Sequence, residues 1–228
     1  MIDFPLVAVD TETTNFDEPC LGWKGKTRIR PFGGMKFICG SYWEPTEHGV
    51  LRFDAFADVI LRYLDRGFHL VYHNASFDHR VLTEAAGPTG RLTRALHLAV
   101  DSGKVHDTKD LELLLQIARG SQTINSKALR SKSLQALAKE RLGVDLSKDE
   151  RRVTFDQFLD PTTEIPQDYL DYAQKDAEVT YKVFESQWKE AELYAADIDR
   201  ERCLPDCRAG HRCRRARSTP IARVQALY

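Results

Sequence analysis

An apolar stretch near the start of the chain runs directly into two acidic residues, and this feature most constrains the fold. Residues 6–9 read Leu-Val-Ala-Val, and Asp10 and Glu12 follow with one threonine between them. A short apolar run rich in β-branched residues predicts a strand that is buried on both faces, as in the middle of an α/β sheet. Because side chains two residues apart on a strand point to the same side, Asp10 and Glu12 should project together.

Two carboxylates held this close repel each other, and proteins rarely keep such a pair without a counter-cation. A site built only from oxygen ligands suits Mg²⁺ or Mn²⁺ better than zinc. The stretch alone leaves a second interpretation open, in which the strand ends in an acidic surface turn.

Composition limits the class of protein. The chain has 228 residues, enough for one large core, and its 33 basic and 34 acidic residues give a net charge of −1. A polyanionic ligand must therefore be bound by a local basic groove or through metal. We expect no leader peptide and no membrane association, because no apolar run is long enough. Five cysteines, an odd number, favour a reducing and cytoplasmic setting.

Periodicity predicts the elements that follow. Residues 36–43 and 49–53 read as two strands of a hairpin, and apolar residues at helical spacing predict a helix that stops near Gly67. Further short helices are expected over residues 92–100 and from Asp107, which is a good N-cap.

A second inner strand is predicted over residues 69–74. The helix after it should be capped by Asn74 or Ser76, and Asp78 lies in its first turn, where the helix dipole favours a carboxylate. Considered alone, these residues have purely structural roles.

A long helix is predicted from Pro166 to about Tyr194. Tyr172 and Asp176 are four residues apart and share one face of it. An acidic side chain on the apolar side of a helix is costly unless it is paired or binds metal. An ordinary tyrosine–aspartate hydrogen bond at the surface is the alternative.

Two regions lack this regularity. Residues 14–35 combine glycines with Trp23 and several cations, which suits either a strand of nucleic acid or a solvated insertion. Beyond residue 195, arginines surround Cys203, Cys207, His211 and Cys213, in a spacing tight for zinc and more typical of a basic tail. We therefore divide the chain into a domain over 1–195 and a Cys/Arg-rich tail over 196–228.

Some metal and phosphate chemistries are disfavoured. Aspartyl-phosphate hydrolases need an aspartate where Glu12 stands, and the chain has no Gly-x₄-Gly-Lys-Ser/Thr loop for a nucleotide phosphate. His73, His79 and His106 are spaced too irregularly to predict a metal cluster.

Taken together, three short motifs resemble those of the DEDD-type 3′–5′ exonucleases, in the subclass with a tyrosine in the third motif. In chain order they are Asp10-x-Glu12, Asn74-x₂-Phe77-Asp78 and Tyr172-x₃-Asp176. The segments Val105–Thr108, Ser133-Leu134 and Leu142-Gly143 also look like intervening parts of that family. The likeness covers about residues 4–194 and is strongest to the exonuclease domain of bacterial and phage DNA polymerase I-type enzymes, with the ribonuclease D group next.

The resemblance implies a ribonuclease H-like α/β fold, with a mixed sheet and helices on both faces. It implies two Mg²⁺ (or Mn²⁺) ions, one held by Asp10, Glu12 and Asp176 and a second bridged by Asp10, with Asp78 acting through water. Tyr172 would orient the nucleophilic water. These five residues are the predicted catalytic set. The resemblance further implies substrate contacts from Thr11, Thr13, Asn74 and Phe77.

The activity implied is a metal-dependent 3′–5′ exonuclease that releases 5′-mononucleotides from single-stranded or frayed DNA, in proofreading or end trimming. On the same basis a polymerase is a candidate partner. Two alternatives stay open: an RNA-processing exonuclease of the ribonuclease D kind, and a non-enzymatic nucleic-acid-binding module that uses the loop and the tail.

Overall fold

The computed structural model describes residues 2–14, 19–21, 27–29, 35–120, 133–146 and 154–208, with the backbone alone for 19–21, 27–29 and 197–208. The strands are β1 (Leu6–Thr13), β2 (Pro19–Leu21), β3 (Thr27–Ile29), β4 (Phe37–Glu44), β5 (Glu47–Leu51), β6 (His69–Tyr72) and β7 (Val105–Asp107). The α-helices are α1 (Phe53–Asp65), α2 (Ala75–Ala86), α3 (Arg91–Asp101), α4 (Thr108–Ala118), α5 (Leu134–Leu137) and α6 (Gln167–Arg208). A π-helical turn spans Ala138–Leu142, and a 3₁₀ turn spans Phe155–Phe158.

Five strands form one sheet in the order β5-β4-β1-β6-β7. β1 is central, antiparallel to β4 and parallel to β6, and β6 is parallel to β7. The predicted mixed sheet is therefore confirmed, as is the hairpin, which pairs β4 with β5. Because β1, β6 and β7 are parallel, the residues that follow their carboxyl ends gather at one edge of the sheet.

Alternate side chains of β1 enter two different cores. Val7 and Val9 pack into a cluster with residues of α1, α2 and α3, whereas Leu6 and Ala8 pack with residues of α4 and α6. All four are at most 5% exposed, which is the burial on both faces that the sequence predicts. Helices on both faces of the sheet are thus confirmed, and the even-numbered residues of β1 face α6.

The last helix continues beyond its predicted end near Tyr194 and runs to Arg208. Residues 195–202 are mostly alanine, glutamate, arginine and aspartate, and the first three of these are good helix formers even where packing does not require them. The division of the chain at residue 195 stays a prediction, and residues 209–228 lie outside the described residues.

The two ends of the insertion at 14–35 lie next to each other. Thr14 donates its backbone N–H to Lys36 O at 3.0 Å, and Lys36 N–H donates to Thr14 Oγ1 at 2.9 Å. Within it, β2 and β3 pair as an antiparallel ribbon. Trp23 and the proposed nucleic-acid contacts around it lie outside the described residues, as does any zinc site in the tail. Among the helices of the described ranges, none combines the length and the apolar character that a bilayer crossing demands.

Candidate active site

Three carboxylates meet where β1 faces α6. Asp10 and Glu12 project from the same side of β1, and Asp176 lies on α6. One carboxylate oxygen from each lies within 4.8 Å of the other two. Within the described parts of the chain this is the only such group of histidine, cysteine or acidic side chains, so His73, His79 and His106 form no metal cluster there.

The chemistry of these donors fits a hard divalent cation. Three negatively charged groups at this separation repel one another strongly in a site where Glu12 is only 8% exposed. Cys39, opposite Glu12 on β4, adds no thiolate, because burial and the charge of Glu12 raise the pKa of its thiol. The site therefore offers oxygen ligands, which suits Mg²⁺ or Mn²⁺.

Asp78 approaches β1 from the opposite face, at the start of α2. Its carboxylate accepts a 2.7 Å hydrogen bond from Thr11 Oγ1, and Thr11 is the residue between Asp10 and Glu12. Asp78 is 2% exposed, and this burial raises its pKa to about 7, although hydrogen bonds from Thr11 and from its own backbone partly oppose the shift. Asp78 is thus hydrogen-bonded to β1 but is outside the group of three mutually close carboxylates.

Tyr172 lies one helical turn before Asp176 on α6 and is half-buried. Its ring packs against that of Phe155, with centroids 6.3 Å apart, beside a cluster that includes Ile38 and Phe158. This packing restricts the ring, and Tyr172 shares one face of α6 with Asp176, four residues on.

The four predicted substrate contacts have different surroundings. Thr11 is buried and directs its hydroxyl to Asp78, while Thr13 Oγ1 lies 3.8 Å from Met35 Sδ. Asn74 Oδ1 accepts a 2.9 Å hydrogen bond from Lys109 Nζ, and Phe77 is half-buried in the first turn of α2. Their roles toward a substrate stay predictions.

The predicted capping of α2 by a side chain of Asn74 or Ser76 is wrong. Asn74 occupies the N-cap position with a left-handed backbone (φ 77°), and its side chain makes no capping hydrogen bond. Asp107 accepts instead from the backbone N–H groups of Asn74 at 3.1 Å and Ala75 at 2.7 Å. An aspartate 32 residues away supplies the acceptors that a local residue was expected to supply.

The predicted role of Asp107 as N-cap of α4 is confirmed, since its carboxylate also accepts from Lys109 N–H at 2.8 Å. Asp107 therefore joins the starts of two helices at the edge that carries the candidate site. Lys109 is not among the candidate site residues predicted from the sequence, because no periodicity points to it. The one sequence signal was a cation in the first turn of a helix, where the dipole favours an anion.

The chain is similar to a protein-family model and to solved structures. A family model described as 3′–5′ exonuclease matches residues 2–192. The structure of Brucella melitensis NrnC bound to pGG superimposes with a TM-score of 0.55 and 19% identity, over 89% of this chain and 81% of that one. The EXO domain of Aedes aegypti Nibbler gives a TM-score of 0.48 and 13% identity, over 84% and 81%. A comparison with curated protein sequences gave no match.

Proposed function

Because the chain belongs to the 3′–5′ exonuclease family and is a hydrolytic exonuclease, we propose that it releases 5′-mononucleotides from the 3′ end of single-stranded or frayed DNA. The observation that carries this proposal is the meeting of Asp10, Glu12 and Asp176, which come from distant parts of the chain. The same fold is present in NrnC of Brucella melitensis.

Asp10, Glu12 and Asp176 would hold one divalent ion, and Asp10 would also contribute to a second. Asp78 would act on the second through a water molecule. Such ions, when bound, activate water and neutralise charge on both the attacking and the leaving oxygen. A nearby cation also favours the ionised form of Asp78, against the burial that raises its pKa.

The reaction exchanges one phosphorus–oxygen bond for another. A water oxygen attacks the phosphorus of the last phosphodiester and loses its proton to solvent. The bond from phosphorus to the 3′ oxygen of the preceding nucleotide breaks, and that oxygen takes up a proton. The products are a 5′-mononucleotide and a strand shortened by one nucleotide with a free 3′-hydroxyl.

The protein's own contribution to this step is positioning. A tyrosine hydroxyl serves as a hydrogen-bonding group better than as a base at neutral pH. The hydroxyl of Tyr172 would orient the attacking water, and its contact with Phe155 holds the ring in place. Phe77, half-buried at the start of α2, would stack on a base of a single strand.

The test is a gel assay of end-labelled single-stranded DNA with Mg²⁺, with Mn²⁺ or with EDTA. We expect a ladder of products from the 3′ end with either ion and none with EDTA. Asp176→Asn should abolish cleavage, whereas Asp171→Asn, an isosteric change at an exposed position of the same helix, should leave it intact. Intact DNA and RNA with wild-type protein in both ions would disprove the proposal.

A second candidate substrate is RNA. Its support is that NrnC, which shares the fold, was determined bound to pGG. Matched DNA and RNA oligonucleotides decide between the two, because the 2′-hydroxyl is the principal difference that the site can contact. A polymerase partner, and a role in replication or repair, stay predictions from the sequence.

A further inference from the structure

A lysine at the edge of the candidate site contacts none of the three clustered carboxylates. Lys109, the second residue of α4, is half-buried, and its ammonium donates a 2.9 Å hydrogen bond to Asn74 Oδ1. No salt bridge to Lys109 is found within the described residues. Its charge is therefore not matched there by a contacting carboxylate.

Asp107 and Asp110 are the acidic residues nearest to Lys109 in the sequence, and neither forms an ion pair with it in the described part of the chain. The carboxylate of Asp107 already accepts three backbone N–H groups, those of Asn74, Ala75 and Lys109 itself. Burial and the charge of Asp107 raise the pKa of Asp110, and the charge of Lys109 opposes that shift without forming an ion pair. Lys109 is therefore the cation between two aspartates, Asp107 and Asp110, that do not pair with it.

The placement of Lys109 has a local cost. A positive side chain in the first turn of a helix faces the positive end of the helix dipole, which favours anions. A residue that breaks a local rule is a candidate for function. Its contact with Asn74 adds a second indication, because Oδ1 accepts from Lys109 and the amide nitrogen of Asn74 keeps its two N–H donors for another acceptor.

The strand register relates Lys109 to the carboxylates. Ala8 on β1 pairs with Val71 on β6, and Tyr72 on β6 pairs with Asp107 on β7. The three parallel strands thus reach the same edge, with Asp10 beyond the first pair and Lys109 beyond the second. Adjacent strands are about 4.8 Å apart, so two strand spacings separate the lines of β1 and β7 by about 10 Å. The register therefore places Lys109 just beyond the strand that lies two places from β1, at the same edge of the sheet.

We propose that Lys109 and the amide of Asn74 together bind a phosphate of the nucleic-acid substrate next to the one that is cleaved, with Lys109 as a positioning residue. The inference rests on the proposed function. Divalent ions would neutralise the scissile phosphate only, and the neighbouring phosphate would otherwise lie in the negative field of the site. A lysine supplies a point charge for that phosphate, and its hydrogen bond fixes the Asn74 amide.

The test compares Lys109→Met and Lys109→Arg with wild type on single-stranded oligonucleotides. Lys189→Met is the matched control: it removes the same charge from an exposed position of α6, 13 residues after Asp176 and hence about 20 Å along the helix. We expect Lys109→Met to raise KM about tenfold, the size of one charged hydrogen bond, with a smaller change in kcat. Lys109→Arg should raise KM less than Lys109→Met does, and the KM of Lys189→Met should match that of wild type.

Binding gives a second readout. In an Asp176→Asn background, which leaves the oligonucleotide uncut, Lys109→Met should flatten the plot of log affinity against log salt by about 0.7, the value for one phosphate contact on a single strand. Its melting temperature should not fall, since the lysine opposes the helix dipole. Unchanged KM and salt slope in an active enzyme, or a fall in both kcat and melting temperature without a KM effect, would overturn the inference. A wild type that cuts nothing would instead disprove the proposed function.

Discussion

Thr11 donates a 2.7 Å hydrogen bond from its hydroxyl to Oδ1 of Asp78, and the two residues are 67 positions apart. Thr11 lies between Asp10 and Glu12 but points to the other face of the sheet, where Asp78 lies in the first turn of α2. The central strand therefore carries two carboxylates toward α6 on one face and fixes a further carboxylate on the other. This bond connects the first motif to the second.

Removing the hydroxyl should change how Asp78 ionises. Thr11→Val keeps the shape but deletes a hydrogen bond to the carboxylate, and that bond lowers the pKa of Asp78 against the effect of burial. The pKa should therefore rise, and the acidic limb of the pH profile of kcat/KM should move to higher pH. Thr11→Ser keeps the hydroxyl and should behave like wild type. A profile unchanged in Thr11→Val would show that Asp78 does not titrate in the active range.

Divalent ions should stabilise the folded protein through the three clustered carboxylates. An ion that binds only the folded state adds about 2.7 kcal/mol at 100 times its Kd. We expect Mg²⁺ or Mn²⁺ to raise the melting temperature of wild type and of Asp171→Asn, relative to EDTA. Glu12→Gln should respond much less, because one of three charged ligands is lost. An equal rise in all three proteins would place the ion elsewhere.

Asp107 should be among the most important polar residues for stability. Asp107→Ala removes the acceptor of three backbone N–H groups at the starts of α2 and α4. We expect a loss of about 2 to 4 kcal/mol in the free energy of unfolding, measured with denaturant, since one cap contributes about 1 kcal/mol. Asp160→Ala is the control, because Asp160 accepts from Thr162 in an exposed turn and should matter little. A loss no greater than that of the control would contradict the double cap.

A buried pair of histidines should make the protein sensitive to acid. His69 Nδ1 and His106 Nε2 are 2.9 Å apart. Burial, and then the charge of Lys104, lower the pKa of His69 to about 4, while burial and the neighbouring His69 lower that of His106 to about 3. In the unfolded chain both rings take up protons below about pH 6.5.

The sign of this effect follows from linkage. Between about pH 6.5 and the lowered values, the unfolded state binds more protons than the folded state, so stability falls as the pH falls. Each histidine should contribute up to about 1.4 kcal/mol per pH unit in that window. The double variant His69→Phe/His106→Phe should show a shallower dependence in denaturant titrations from pH 7 to 4. Exposed His48→Gln should keep the wild-type slope, and a double variant with that same slope would contradict the prediction.

Much of the fold could be predicted because its signals are local. The apolar run of β1, the hairpin and the helical spacing of α1 and α4 depend on neighbours within a few residues, where the strand and helix periods apply. The end of α6 could not be placed, because helix propensity continues in the sequence past residue 195 and marks no boundary there.

The sequence by itself determined that Asp10 and Glu12 share one side of a strand, that Tyr172 and Asp176 share one face of a helix, and that Asp107 begins α4. Only the tertiary structure decided that Asp176 meets the two strand carboxylates, that Thr11 binds Asp78, and that Asp107 also caps α2. The physical reason is range. Backbone periodicity orients side chains a few residues apart, whereas contacts between distant segments depend on how buried faces pack, and no local pattern records that packing.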